Sequence, residues 1–521
     1  MKKLMVVLCA SAVTTAFAGG LLTNTNQSVH FLRDPARDAS TEIDAAYTNP
    51  AGTTQLSDGF HLSLTNQSVF QTRTITSTFA PFKGYGDSET KDFKGTASAP
   101  IVPSFQFVYK KDKYAISGGF AITGGGGKAT FNQGLGSFEA PISMIPVGLS
   151  AKNISTTQYS VDGYMEGKSF IYGAQLNGSY KINDRLSAAL GIRLNIVNNG
   201  YVGHLRNIKI NPTHASINPT GAMMSANTFF TDAAAGAQSA SNSLGLIVAG
   251  GGGSLKLSEL AALGKITDAQ KAQLMGGLGG QDLTATNAQA AYNQLVTVNT
   301  ANATNTKDKE LDCTQSGWGV TPIIGLNYNY NGLNIGVKYE FNTSLNIENK
   351  TTIDDTGKFT NGVNTPSDIP ALLTIGVEYK INPGLKVSGG FHHFFDSDAK
   401  MASINNVPKQ NYINGGISEY LLGAEYDINQ TLLVSAGGQV TRSGVTDNYQ
   451  TDMSYSLNSY SIGFGGAVKL TPNLRLNIAY FFTNYDNWTK NTTNYNETTL
   501  AGTDVFTRTN KVFGIGVDWK F

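Results

Sequence analysis

The chain ends Lys511-Val-Phe-Gly-Ile-Gly-Val-Asp-Trp-Lys-Phe521. Phe513, Ile515, Val517, Trp519 and Phe521 share one parity; Val512, Gly514, Gly516, Asp518 and Lys520 take the other. Side chains alternate between the faces of a strand, so one face is apolar and the other small or polar. The edge of an ordinary sandwich can read this way. A strand that ends the whole chain on an aromatic residue is rarer. It is the pattern of an outer-membrane barrel, whose last strand pairs with its first so that no open edge is left in lipid.

Upstream, the same alternation recurs from Gly59 onward. Leu373, Ile375, Val377, Tyr379 and Ile381 alternate with Thr374, Gly376, Glu378 and Lys380, and Leu186 to Ile196 alternate likewise. The pattern predicts fourteen strands, at about 60–73, 99–110, 114–126, 169–182, 185–203, 317–330, 333–348, 370–381, 385–400, 416–428, 431–442, 456–470, 474–487 and 505–521. Their connections sort by parity. Six are tight turns, and seven are long, at about 74–98, 127–168, 204–316, 349–369, 401–415, 443–455 and 488–504. Short turns on one side and long loops on the other belong to a transmembrane barrel, and a soluble sandwich has no reason to sort them. The fold class expected is therefore all-β, a fourteen-stranded antiparallel barrel over residues 58–521, with both ends on the periplasmic side. In the 204–316 loop, Thr267-x-x-Gln270 and Thr286-x-x-Gln289 match capping boxes, and Ala288, Ala291, Tyr292 and Leu295 fall on one helical face. Such helices either pack over the barrel mouth or offer an apolar docking groove.

Composition agrees. Of 521 residues, 14% are charged, against roughly 25% in average soluble proteins. The formal net charge of +1 gives no electrostatic case for nucleic acid. The 58 Gly, 23 Tyr and 26 Phe suit tilted strands and interfacial girdles. Lys2-Lys3, an apolar stretch and Ala16-Phe17-Ala18 read as a signal peptide over 1–18. Cleavage there leaves Cys313 as the one cysteine and no internal disulfide. Past the signal no run of 18 apolar residues occurs, so the chain must span as strands.

Two stretches do not fit a regular wall. Residues 19–57 hold no period of two, carry Arg33-Asp-Pro-Ala-Arg-Asp38, and turn at Asn49-Pro50 and Gly52. They are either a periplasmic tail or a plug folded in the lumen, which a wide barrel needs. Gly124-Gly-Gly-Gly127 sits where the third strand should still be crossing the membrane. It is either a flexible start to the next loop or a break in the wall through which an apolar ligand leaves sideways into lipid.

Little else suggests chemistry. Ser397-Asp-Ala-Lys400 matches a Ser-x-x-Lys motif without its companions. His392 and His393 are adjacent on a strand, face opposite sides, and cannot easily share a metal ion. No catalytic residue, metal or cofactor is expected. An apolar pocket would work by burial: about fifteen methylenes are worth roughly 12 kcal/mol, whereas a charge-assisted hydrogen bond to a carboxylate adds about 1.5–3 kcal/mol. A cation would then select acids over hydrocarbons. Lys400 and Arg193 have inward parity; Arg206 has outward parity unless a bulge intervenes.

With the strands placed, the sequence resembles the FadL family of outer-membrane long-chain fatty-acid transporters over nearly the whole mature chain. The resemblance rests on Asn49-Pro50-Ala51 before the first strand, on Ala121-Ile-Thr-Gly-Gly-Gly-Gly-Lys-Ala-Thr-Phe131 placed like a kinked third strand, and on Pro366-Ser-Asp-Ile-Pro370 leading into the eighth. It implies a monomeric barrel in the outer membrane of a Gram-negative bacterium. It implies a hatch over 19–57, with Gly19, Gly20, Leu21 and Leu22 as its front and Asn49, Pro50 and Ala51 as its motif. Ligands would be captured outside, pass to a pocket beside the hatch, and leave at Gly124, Gly125, Gly126 and Gly127. The implied partners are outer-membrane lipid and a long-chain fatty acid or other hydrophobic small molecule. Arg206 roughly matches a family position. A general porin and a structural or adhesive outer-membrane protein are the alternatives, with an enzyme third.

Overall fold

A computed structural model describes residues 20–404 and 406–521; the expected signal peptide and Gly19 lie outside the described residues. Alternation becomes wall as expected. The strands are β1 (Gly59–Thr78), β2 (Thr90–Lys111), β3 (Tyr114–Phe131), β4 (Tyr159–Lys181), β5 (Leu186–Ile210), β6 (Lys309–Tyr330) and β7 (Leu333–Glu340). They continue as β8 (Leu372–Asn382), β9 (Leu385–Phe394), β10 (Ile417–Asp427), β11 (Leu432–Arg442), β12 (Ser459–Thr471), β13 (Leu474–Tyr485) and β14 (Gly502–Lys520). Each pairs antiparallel with its neighbours, and β14 returns to β1, with Leu64 opposite Val517. Short strands extend three of them outward: Asn346–Asp354 on β6, Met224–Ser225 on β5 and Trp488–Thr492 on β14.

The apolar parity faces out. On β5, Leu190 is 71% exposed while its neighbour Ala189 is 5% exposed. On β14, Phe513, Ile515, Trp519 and Phe521 are exposed and Val512 is buried. An apolar exterior on a closed sheet is a lipid belt, because lipid rather than water then covers those side chains. The belt is shorter than the strands. Above Phe70 the outward residues of β1 are Thr72, Thr74, Thr76 and Thr78, so β1 to β6 project beyond the bilayer.

Helix α3 (Gly136–Ser150) lies in the 132–158 connection across the outer mouth. Its Phe138, Ile142 and Leu149 join a buried apolar cluster with Ile75, Phe131, Tyr201, Phe230, Tyr455 and Phe506. The longest loop carries α4 (Ala226–Ile247), α5 (Leu257–Ala262), α6 (Asp268–Gly277) and α7 (Ala285–Asn305). Thr267 and Gln270 close the expected capping box on α6. The second box is displaced: Thr284, not Thr286, caps α7, because Thr284 is the last extended residue before the helix. Leu244, Ala288 and Tyr292 bury one another's faces with Leu257 and Leu260, while Phe229, Phe230 and Ala303 at the foot join the mouth cluster. The helices therefore spend their apolar stripes on each other and root over the mouth. Among the described residues no helix is long and apolar enough to cross a membrane.

Candidate functional site

The N-terminal segment fills the lumen. Residues 20–54 are buried throughout except for the half-buried Leu22, Thr41 and Glu42. Two short helices, α1 (Val29–Arg33) and α2 (Ala45–Thr48), and a 3-10 turn at Pro50–Gln55 shape it. Asn49 works as a clamp. Its Oδ1 accepts from Ala51 N at 3.3 Å to start the turn, and its Nδ2 donates to the Leu326 carbonyl at 2.8 Å. Pro50, locked in φ and lacking an N–H, suits the first turn position. Its carbonyl accepts from Ser179 Oγ at 2.7 Å. The wall makes room with glycine: a Cβ at Gly325, Gly336, Gly376, Gly423, Gly463 or Gly514 would collide with Asn49, Asp38, Asp34 or Leu32 of the segment.

Charges fix the lower half. Arg37 donates to both carboxylate oxygens of Asp44 at 2.7 and 2.9 Å and reaches Glu425 of β10 at 3.3 Å. Arg33 pairs with the same Glu425, and Lys386 approaches it at 2.5 Å. His30 meets Asp518 at 3.0 Å, and Arg475 bridges Asp518 and Glu42 at 3.0 and 2.9 Å. His392 sits between Asp38 at 2.9 Å and Glu419 at 2.8 Å. His393 faces outward against Ser418, as parity required. Buried ion networks add little net stability but hold one arrangement, because breaking a pair strands a charge.

The front of the segment is held differently. Leu21 packs with Leu372, Phe394 and Ile417, and Leu22 against Ile171, Val197 and Leu345. A Cβ on Gly20 would meet the Phe394 ring. Gly19 lies outside the described residues.

This front lies against a break in the wall. The β2–β3 ladder runs from Lys111 opposite Tyr114 to Phe105 opposite Phe120, stops, and resumes at Ala97 opposite Ala129. On its other side β3 slips against β4 twice, between Ile122 and Gly124 and between Gly125 and Gly127. Gly125 and Gly127 adopt φ of 79° and 81°, a region that only glycine enters freely. The carbonyls freed by the kink find partners in the N-terminal segment. Asn24 N donates to Thr123 O at 2.8 Å, Asn24 Nδ2 to Gly125 O at 3.1 Å, and Gln27 Nε2 to Ile122 O at 3.1 Å. Leu22 covers Gly124 so closely that a Cβ there would strike its carbonyl.

The facing edge of β2 is prepared too. Pro100 and Pro103 have no N–H to leave bare. The β1–β2 register also shifts here, between Gln67 and Val69, and two outward side chains of β1 patch it. Ser68 Oγ donates to Pro100 O at 2.7 Å, and Asn66 Oδ1 accepts from Val102 N at 3.1 Å. Composition gave no warning of these staples, although the paired prolines in Ala99-Pro-Ile-Val-Pro103 were visible in the sequence.

The three candidate cations, Arg193 and Lys400 from parity and Arg206 from the resemblance, do not converge on a ligand. Arg193 does face inward, beside a water-sized cavity lined by Tyr47, Phe105, Phe120 and Thr123. Its fork is committed to Glu340 at 2.7 and 2.8 Å, with Lys338 on the same carboxylate at 2.7 Å. It buttresses the segment through the Tyr47 ring, 4.8 Å away. Lys400 is exposed and lies beyond β9, which ends at Phe394 because Asp396 turns the chain into a 3-10 segment and accepts from Ile417 N at 3.0 Å. Arg206 faces outward and pairs with Glu310 at 2.5 Å, above the belt. Ser397 belongs to the same 3-10 turn, far from any nucleophile geometry. Among the described residues no cluster of metal-ligating side chains forms. In Pro366-Ser-Asp-Ile-Pro370, Asp368 is a loop staple, accepting from Leu345 N at 2.9 Å.

A closed fourteen-stranded barrel with an apolar belt defines an outer-membrane protein of a Gram-negative bacterium. No protein-family model and no curated protein matches the sequence. Solved structures do. A Pseudomonas aeruginosa FadL homologue matches at 12% identity and a TM-score of 0.58, over 96% of this chain and 100% of that one. The Pseudomonas putida toluene transporter TodX matches at 14% identity and 0.49, over 92% and 94%. The Ralstonia pickettii toluene transporter TbuX matches at 15% and 0.47, over 92% and 94%. The first of these likenesses establishes the architecture: the barrel is of the FadL type.

Proposed function

We propose that the protein is a passive, monomeric importer of hydrophobic small molecules, long-chain fatty acids or compounds of similar apolar character. The observation that carries the reading is the break between β2 and β3, floored by the front of the N-terminal segment and not by a strand. An open porin has no use for a lumen filled by residues 20–54. A solute that must leave a plugged barrel can do so only by moving the plug or crossing the wall. For a ligand with about fifteen methylenes, entering water costs roughly 12 kcal/mol, so a path through the wall into lipid is favoured. The apolar cluster beneath α3 would receive the ligand from outside. The front at Gly20 to Leu22 would yield first, since it is held by apolar packing and a few hydrogen bonds, whereas the rear is held by paired charges.

The test is Gly125→Val with Gly126→Val. Valine cannot hold φ near 79°, so the kink must straighten or strain. Capture at the outer face is expected to persist while uptake of labelled oleate falls. A variant that folds, binds and transports like the parent would remove β3 from the route.

A further inference from the structure

Two lysines meet on the lipid side of the wall, at the upper end of the break. Lys128 of β3 stands directly opposite Lys168 of β4, next to Gly127 opposite Ser169. They lie on the loop side of the break, away from the tight turn that joins Lys111 to Tyr114. Both face out: the Lys128 side chain is 53% exposed, and Lys168 shares the parity of Phe170, Tyr172 and the exposed Leu176. Like charges directly opposite one another destabilise a ladder. This pair parts. Lys128 leans to Glu166 at 2.7 Å, a carboxylate that also accepts from the Tyr164 hydroxyl at 2.9 Å. Lys168 goes the other way, its Cε 3.4 Å from where a Cβ on Gly200 of β5 would stand. Among the described residues its ammonium pairs with no carboxylate.

Directly below the pair the surface turns apolar. Phe170 and Tyr172 follow Lys168 on the outward face of β4 and stack, with centroids 6.0 Å and planes 20° apart. Phe120 of β3 stacks on Tyr172 in turn, at 6.2 Å and 10°. On the facing edge of β2, in the stretch without a ladder, Ile101 is 75% exposed. Between these side chains runs Gly124-Gly-Gly-Gly127, which has no side chain to offer lipid. The surface thus has a cationic head and a flat apolar body. Aromatic rings mark the edge of a lipid belt, and a lysine just beyond them reaches the head groups with its ammonium while its stem stays on the wall.

We infer that Lys128 and Lys168 hold the phosphate of an outer-leaflet lipid, whose acyl chain lies along Phe170, Tyr172 and Phe120 and covers the glycine strip from outside. A phosphate between two opposed ammoniums replaces their repulsion with two charge-assisted contacts. It answers Lys168, while Glu166 keeps Lys128 in place beside it. A phosphorylated glycolipid suits the pair better than a zwitterionic phospholipid, whose own cation would sit beside the lysines. The inference goes beyond the uptake reading and does not rest on it. A lipid chain would close the break on its outer side, as Leu22, Asn24 and Gln27 close it on the inner side.

The experiment offers the full barrel diphosphorylated lipid A and its dephosphorylated form, which keeps the acyl chains, and reads retention of each by native mass spectrometry. The parent is expected to hold the phosphorylated form about twenty-five-fold more tightly, about fivefold for each lysine at an anionic head group. Lys168→Gln should lose about fivefold of that preference, and Lys128→Gln with Lys168→Gln should abolish it. Glutamine still donates to Glu166, and both positions are on the outer surface, so heat-modifiable barrel should form as in the parent. Phe170→Ser should weaken retention of both forms alike. Lys511→Gln is the control: Lys511 is an exposed lysine of β14 set between Phe70 and Phe482, with no lysine opposite, and its loss should leave the preference intact. A parent without preference, a preference that survives the double variant, or a loss in Lys511→Gln equal to that in Lys168→Gln overturns the site.

Discussion

The seam between β14 and β1 runs from His61 opposite Lys520 to Thr78 opposite Thr503 without a shift, whereas the seam between β2 and β3 has no ladder from Ala97 to Phe105. The two lie two strands apart in the same wall. The closing seam joins the two ends of the barrel, and no hairpin turn holds its strands together. Its inner face keeps small residues at Gly514 and Gly516 so that Val29 and Leu32 can brace it. The broken seam is flanked by continuous chain, so it can lose its ladder without the barrel coming apart. Prolines, outward staples and the N-terminal segment then answer for the backbone groups. A barrel can tolerate a breach where the chain is continuous and cannot where its first and last strands meet.

The sharpest way to break this contrast is at the closing seam. Deleting Phe521, or changing it to Asp, puts a defect where Phe521 N donates to Phe60 O at 2.8 Å. Assembled, heat-modifiable barrel should be largely lost, and parental levels would show that the terminal strand is dispensable. Removing residues 19–57 comes next. The wall should still close, but ion conductance in planar bilayers should rise toward that of an open pore; an intact protein that already conducts so would end the plug idea. Glu425→Ala is subtler. It leaves Arg33, Arg37 and Lys386 facing one another, at a cost of about 3–5 kcal/mol for a broken buried pair. Intermittent openings in single-channel records are expected, with uptake retained. The smallest effect belongs to the broken seam's staples. Asn66→Leu with Ser68→Ala removes bonds worth about 0.5–1.5 kcal/mol each. Amide exchange at Val102 should quicken while β14 stays protected; unchanged exchange at Val102 would mean the staples are decorative.

Much of the wall was legible in the sequence because lipid imposes a period of two. The tight turns fall as read, and β8 and β10 to β14 begin and end within three residues of the expected positions. The outer ends were not legible. β2 and β4 start nine or ten residues before the alternation becomes clear, at Thr90 and Tyr159. Above the bilayer the outward face meets water, Thr replaces Leu and Phe, and the period fades. That residues 19–57 are not wall was legible from their lack of period, which left a tail and a plug both open; the fastening of residues 20–54 was not legible. Arg33-Asp-Pro-Ala-Arg-Asp38 was visible, and so were Glu378, Lys386, Glu425, Arg475 and Asp518, charges of inward parity on membrane strands. Which cation meets which carboxylate depends on register across hundreds of residues, and parity carries no information about that. Parity also ranked Lys400 and Arg193 without seeing that one lies past a strand end and the other is already paired.

The distances along the chain between plug and wall partners set the order of folding. Arg33 and Glu425 are 392 residues apart, and His30 and Asp518 are 488 apart. The segment made first thus finds its charge partners in the wall on the later strands, β9 to β14. Contacts of such separation carry the highest closure entropy and form late. Until then Arg33, Arg37, Asp34 and Asp38 are better hydrated than docked. Closure of β14 on β1 joins residues as distant as His61 and Lys520, so docking of the segment and closing of the wall both wait for the last strand.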